Sequence, residues 1–169
     1  MKIVFRQQKQ ELEKARKRVQ SNAKRSLARQ VKRMVYDVHN YILSATPVYS
    51  GNAVANFQWS MDSPANGLVK PARFPTDGLG KTSVKPLGSE AARGANEAIA
   101  NASLAKIDFS DPFRRIYVVN NVPYFADLEY GTYNFVTKTE PRTPPAGIFR
   151  GASAMLRNKY PGVRARFTT

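Results

Sequence analysis

The chain has no cysteine, a single histidine and a single tryptophan. Without thiols there are no disulfides, iron–sulfur clusters or thiolate zinc sites, and one imidazole gives no basis for a histidine metal centre. The absence of cysteine fits a protein assembled in a reducing cytoplasm. Acidic residues are scarce as well: 12 Asp and Glu against 27 Lys and Arg leave a formal net charge of +15. Such an excess marks contact with nucleic acid, an acidic partner or an anionic membrane, and charge alone does not choose among them. No apolar run approaches the roughly 20 residues that cross a bilayer, and the N-terminal MKIVFRQQKQ lacks the apolar core of a signal peptide. At 169 residues the expectation is one domain able to bury about two-thirds of its unfolded surface without covalent staples.

Proline and glycine are also missing from the whole of residues 5–45, and the pattern there is helical. Leu12, Ala15, Val19, Ala23, Leu27, Val31, Val35, Val38 and Ile42 recur at steps of three or four, which puts them on one stripe. Its first part is dense in cations, with Lys14, Arg16, Lys17, Arg18, Lys24, Arg25, Arg29, Lys32 and Arg33 around a thin apolar line. From Met34 onward the apolar face broadens through Val35, Tyr36, Val38, Tyr41, Ile42 and Leu43. A helix of this length spans about 60 Å, against a diameter of about 40 Å for a compact domain of this size. Residues 1–33 are therefore expected to project as a basic arm, or the helix to bend near Ser21 and Asn22, with residues 34–160 forming the core.

Pro47 ends that helix, and Ser50 with Gly51 opens a turn and a short helix through Phe57. Phe57, Trp59 and Met61 alternate with polar residues as in a half-buried strand. Residues 63–88, rich in proline and glycine, read as a long loop ordered by a partner. The alanine-rich segment 89–103 reads as a helix capped by Ser89, with Ala91, Ala92, Ala95, Ile99 and Ala102 as its packing face. Residues 114–119 form a strand whose Ile116, Val118 and Val119 indicate burial on both faces, hence a central position. Asn120 and Asn121 turn the chain, Pro123 starts a short helix, and Gly131 stops it in the left-handed conformation. Residues 133–136 read as an edge strand, 146–160 as a last helix with Ile148, Phe149, Ala152, Met155 and Leu156 inward, and 161–169 as a short basic tail. The fold class expected is α+β: a long N-terminal helix packed on a small, twisted, mostly antiparallel sheet, with shorter helices and a long loop.

Chemistry-bearing residues are few. Asp127 and Glu129, two apart on a helix, face different directions and read as surface or interface charges rather than an acid–base pair. His39, one step from the apolar stripe, reads as a partly buried structural residue. Gly78-Leu79-Gly80-Lys81-Thr82 misses the phosphate-loop pattern because Pro75 holds the place of its first glycine. Tyr117, Tyr124, Phe125 and Tyr130 have the spacing of core residues rather than of a base-stacking platform. These residues indicate no catalytic, cofactor or metal site.

Several of these segments, in this order, carry a resemblance. Thr46-Pro47-Val48-Tyr49-Ser50-Gly51 with Ala55-Asn56-Phe57-Gln58, the alanine-rich helix, Ile116-Tyr117-Val118-Val119-Asn120-Asn121-Val122-Pro123-Tyr124 with Leu128-Glu129-Tyr130-Gly131, and Pro145-Ala146-Gly147-Ile148-Phe149-Arg150 together resemble the tail-completion or neck protein family of long-tailed bacteriophages. Tyr49 stands where the family carries Asp, and Phe57 where it carries Trp. The resemblance implies a non-enzymatic virion protein, assembled in the host cytoplasm, whose α+β subunits close into a sixfold ring at the head–tail junction. Its implied partners are copies of itself, the tail tube and the connector-side neck proteins, with loose contact to the genome in the lumen and none to a membrane. The implied structural and interface positions are Pro47, Gly51, Asn56, Asn120, Pro123, Tyr124, Glu129, Tyr130, Gly131 and Gly147. The alternative from another class is a basic DNA-binding protein whose affinity falls steeply with salt, although no helix-turn-helix pattern accompanies the charge.

Overall fold

A computed structural model describes residues 6–47, 51–72, 90–131 and 147–163. The continuous helical periodicity gives one uninterrupted helix, α1 (Arg6–Ala45), with no break at Ser21 or Asn22. It ends where expected, one residue before Thr46, whose hydroxyl turns back to the Ile42 carbonyl. No basic residue of α1 lies in its last turn. Arg93 supplies that charge from elsewhere in the chain, donating to the carbonyl oxygens of Leu43 (3.2 Å) and Thr46 (3.1 Å).

The short helix α2 (Asn52–Ala55) is preceded by Gly51 at φ +73°, and it stops at Ala55 rather than reaching Phe57. The stop comes from Asn56, whose side-chain amide donates back to the Asn52 carbonyl at 2.8 Å. Strand β1 (Phe57–Met61) follows, with Phe57 and Trp59 buried. Helix α3 (Glu90–Leu104) packs against α2 and β1, but not by the face expected from Ala95, Ile99 and Ala102. Its buried face is Asn96, Ala100 and Leu104, while Ala95 and Ala102 are exposed. Small residues tolerate either side of a helix, so their spacing carries less directional information than that of larger side chains.

Strand β2 (Ile116–Asn120) begins two residues later than expected and pairs antiparallel with β1, Trp59 opposite Val118 and Phe57 opposite Asn120. The expected central position is corrected: among the described residues the sheet has two strands, and every β2 residue is only half-buried. β1 holds the centre instead, because the helices close over it. Helix α4 (Phe125–Tyr130) starts after Pro123 and ends at Gly131, φ +72°, ψ +33°, as the turn chemistry requires. Helix α5 (Ile148–Lys159) buries Ile148, Ala152 and Leu156 and lies along α1.

The core joins these elements around Phe57. Its ring meets Phe125 edge-on (5.7 Å between centroids, 89° between planes) and Phe149 likewise (6.0 Å, 81°), so that β1, α4 and α5 share one aromatic cluster. Val38 and Ile42 of α1 and Val54 of α2 complete it. The α+β class is therefore observed, with helices supplying most of the core. The expected edge strand at 133–136, the glycine-lysine-threonine stretch, the caps at Ser50 and Ser89, residues 73–88 of the long loop and 164–169 of the tail lie outside the described residues.

Candidate assembly surface

The arm is the most exposed part of the described chain. From residue 9 to residue 26 every side chain of α1 is exposed, including Leu12 at 75% and Val19 at 68%. The cations Lys14, Arg16, Lys17, Arg18, Lys24 and Arg25 all lie on this segment. Packing begins with half-buried Leu27, Ala28 and Val31, earlier than the residue-34 boundary expected from the widening stripe. Arg29, Lys32 and Arg33 are accordingly exposed positions on a packed stretch and not part of the free arm.

Three contacts set where the arm leaves the body. Lys24 Nζ lies 3.3 Å from Asp111 Oδ1, an oxygen closed off from water. Lys32 sits over the rings of Tyr36 (5.8 Å) and Phe109 (5.9 Å), a cation–π arrangement. Deeper along α1, Asp37 accepts from Lys159 at 2.8 Å and from the Tyr160 hydroxyl, which ties α1 to the end of α5. Those hydrogen bonds, the Lys159 one foremost, hold the Asp37 carboxyl below its ordinary range.

Several of the resemblance residues fall into two polar groups. In the first, Asn56 donates to the Val69 carbonyl (2.9 Å) and accepts from the Val69 N–H (2.7 Å), which pins the start of the long loop as a strand partner would. Asn120 donates to the Ala53 carbonyl at 2.7 Å and so joins β2 to α2. Gly51 belongs here too, since a Cβ at that position would meet the Asn96 side chain. Asn96 in turn accepts from the Ala72 N–H at 2.9 Å.

The second group corrects the reading of Glu129 as a surface charge. Glu129 is buried, and its carboxylate accepts the first free N–H groups of α5, from Phe149 (2.9 Å) and Arg150 (3.0 Å). Arg150 closes the arrangement, with Nε 3.3 Å from the carboxylate and a second donor 2.7 Å from the Glu129 carbonyl, which also accepts from the Gly147 N–H. An anion at a helix N-terminus satisfies orphan donors and faces the positive end of the dipole. Tyr130, expected in the core, is 42% exposed and lies beneath the Arg150 guanidinium, 4.9 Å away. Tyr124 is half-buried against the core, while Pro47 and Pro123 remain exposed and join neither group.

His39 is more deeply placed than expected, at 2% exposure. Trp59 Nε1 can only donate, so His39 Nδ1 accepts from it at 3.0 Å. Nε2 therefore carries the proton and donates to Asn101 Oδ1 at 2.6 Å. This neutral tautomer bridges α1, β1 and α3, and burial holds the imidazole pKa below its ordinary value against the opposing Asn101 bond. Asn96, Arg93 and Asn101 have no counterpart in the sequence reading, and Arg150 enters it only as the end of a resemblance motif. The one available signal was a polar Asn96 set among small residues.

Among the described residues, no group of three or more His, Asp or Glu side chains is arranged to hold a metal ion. No helix among them is long and apolar enough to cross a membrane. No family model, curated protein or solved structure matches the chain.

Proposed function

We propose that the chain is a structural subunit of the head–tail junction of a long-tailed bacteriophage, a tail-completion or neck protein that closes into a ring, joins tail to head and leaves a passage for DNA. The observation that carries the reading is the arm: exposed from residue 9 to 26, it bears apolar side chains that the described body leaves uncovered. A rigid helix of this kind is suited to reach a neighbouring subunit. The ordered motifs from Pro47 to Arg150 supply the family resemblance, and the polar groups around Asn56 and Glu129 give it structural roles that need no reaction chemistry. Sixfold symmetry is implied by the resemblance alone.

A closed ring needs two different complementary patches on each subunit. The arm is one, and the face of the body that receives a neighbour is the other. The second reading, a DNA-binding protein, is favoured by the exposed cations of the same arm. Salt separates the two. Contacts to many phosphates weaken steeply as salt rises, whereas a ring held by packed surfaces persists. A chain that assembles in moderate salt and restores joining of heads to tails in a defective phage supports the junction reading; one that stays monomeric and is retained on duplex DNA only in low salt overturns it.

A further inference from the structure

The apolar seam of the arm turns away from its own body. Leu12, Ala15 and Val19 are exposed on α1, while Lys24 marks the direction of the body by its contact with Asp111. Around the helix, Val19 lies about 140° and Leu12 about 120° from Lys24, and Leu12 is about 18 Å further along the axis. An uninterrupted helix cannot lay these side chains on its own loop. Yet that loop, residues 105–115 between α3 and β2, carries an uncovered apolar surface. Phe113 is 74% exposed, more than any other large apolar side chain of the described body. On the same loop the half-buried ring of Phe109 lies 6.3 Å from that of Tyr36, itself 41% exposed. We infer that the 105–115 loop, with Phe113 as its anchor, is the face of the body that receives the arm of a neighbouring copy through Leu12 and Val19.

This inference rests on the ring reading and names the second of the two unlike patches that a ring requires. Both surfaces have the anatomy of an interface, large apolar side chains inside a polar rim. Charges of both signs border each of them: Glu11, Arg16 and Arg18 beside the seam, and Asp108, Asp111 and the Asp62–Arg114 pair beside Phe113. Lys14 and Lys17 lie on the opposite side of the helix from the seam, so docking leaves them in solvent. The loop already accepts the α1 of its own chain, Lys24 against Asp111 and Lys32 over Phe109. A neighbour's helix laid on Phe113 extends that contact outward. Duplex DNA offers phosphates to the cations but leaves Leu12, Val19 and Phe113 facing water.

The absence of cysteine allows a direct test. Ala15→Cys puts one thiol in the seam and Ser110→Cys puts one on the loop, both at exposed positions that leave the anchors untouched. An equal mixture of the two full-length variants, treated with a short bis-maleimide, is expected to give a covalent pair of chains. The chain carrying both substitutions is expected to give a ladder that ends at a closed multimer. Phe113→Ser, and separately Leu12→Ser with Val19→Ser, are expected to raise the concentration needed for assembly about tenfold or more, with unchanged thermal melting. Cross-linking of the Ala15→Cys chain to itself, as strong as in the mixture, overturns the inference in favour of paired arms. A multimer that forms without the mixed cross-link and tolerates Phe113→Ser overturns it in favour of another face. A chain that stays monomeric in sedimentation at every concentration overturns it outright. Head–tail joining is scored apart: a cross-linked multimer that fails to restore joining upholds the docking face and sinks the junction reading, whereas restored joining without the cross-link does the reverse.

Discussion

At the scale of single residues the molecule is held by buried polar groups with one permitted protonation state or one permitted side chain. His39 is the clearest. Protonating Nδ1 sets it against the Trp59 N–H, two donors face to face. Since burial lowers the folded pKa below the unfolded value of about 6.5, the unfolded chain binds the proton first. Stability is then full above about pH 6.5 and falls as pH drops from there toward the folded value, by up to about 1.4 kcal/mol per pH unit. Denaturant melts of wild type and His39→Gln across this range are expected to show the decline only in wild type. Asp37 acts lower: its carboxyl is held below the unfolded value, so its contribution is complete above about pH 4 and is lost as pH falls through the folded pKa. Glu129→Gln replaces one acceptor oxygen with a donor facing the α5 N–H groups, and is expected to cost about 1–3 kcal/mol in the same assay. An unchanged midpoint there means the carboxylate is not holding α5. The sequence hid this role for a physical reason. Glu129 sits two residues from Asp127 on the short helix α4, and the donors that its carboxylate accepts from belong to Phe149 and Arg150, 20 and 21 residues further along the chain.

At the scale of elements, helices were legible and their neighbours less so. A period of three and four over tens of residues defines α1, and a left-handed glycine after an apolar face defines the end of α4; both are local signals. Which face is buried depends on what lies opposite. α3 turns Asn96, Ala100 and Leu104 inward because Asn96 finds a backbone donor at Ala72, which the alanine spacing does not encode. The apolar run Ile116, Val118 and Val119 indicated a central strand, yet β1 has that place because Phe57 meets rings from α4 and α5 at once. The energetic order follows. Phe57→Ala is expected to cost about 3–5 kcal/mol, whereas Val118→Ala on the half-buried β2 costs clearly less. Equilibrium unfolding of the two variants checks this, and equal losses would return the centre of the fold to β2.

For the whole molecule, we propose a body that folds by itself and an arm that serves assembly. The length of α1 against the size of the domain made the projection foreseeable, but not its boundary, because Lys24 reaches Asp111 and Leu27 begins the packing. Removing residues 1–23 leaves those contacts in place and is expected to change stability by no more than about 0.5 kcal/mol. The most direct measurement is the assembled mass of the full chain and of this truncated chain, by sedimentation or native mass determination over a range of salt. The expected result is a closed multimer of the 18.9 kDa full chain that persists as salt rises, of six copies as the resemblance implies, and a folded truncated chain that no longer forms it. A full chain that stays monomeric at every concentration and associates only with duplex DNA at low salt would contradict it.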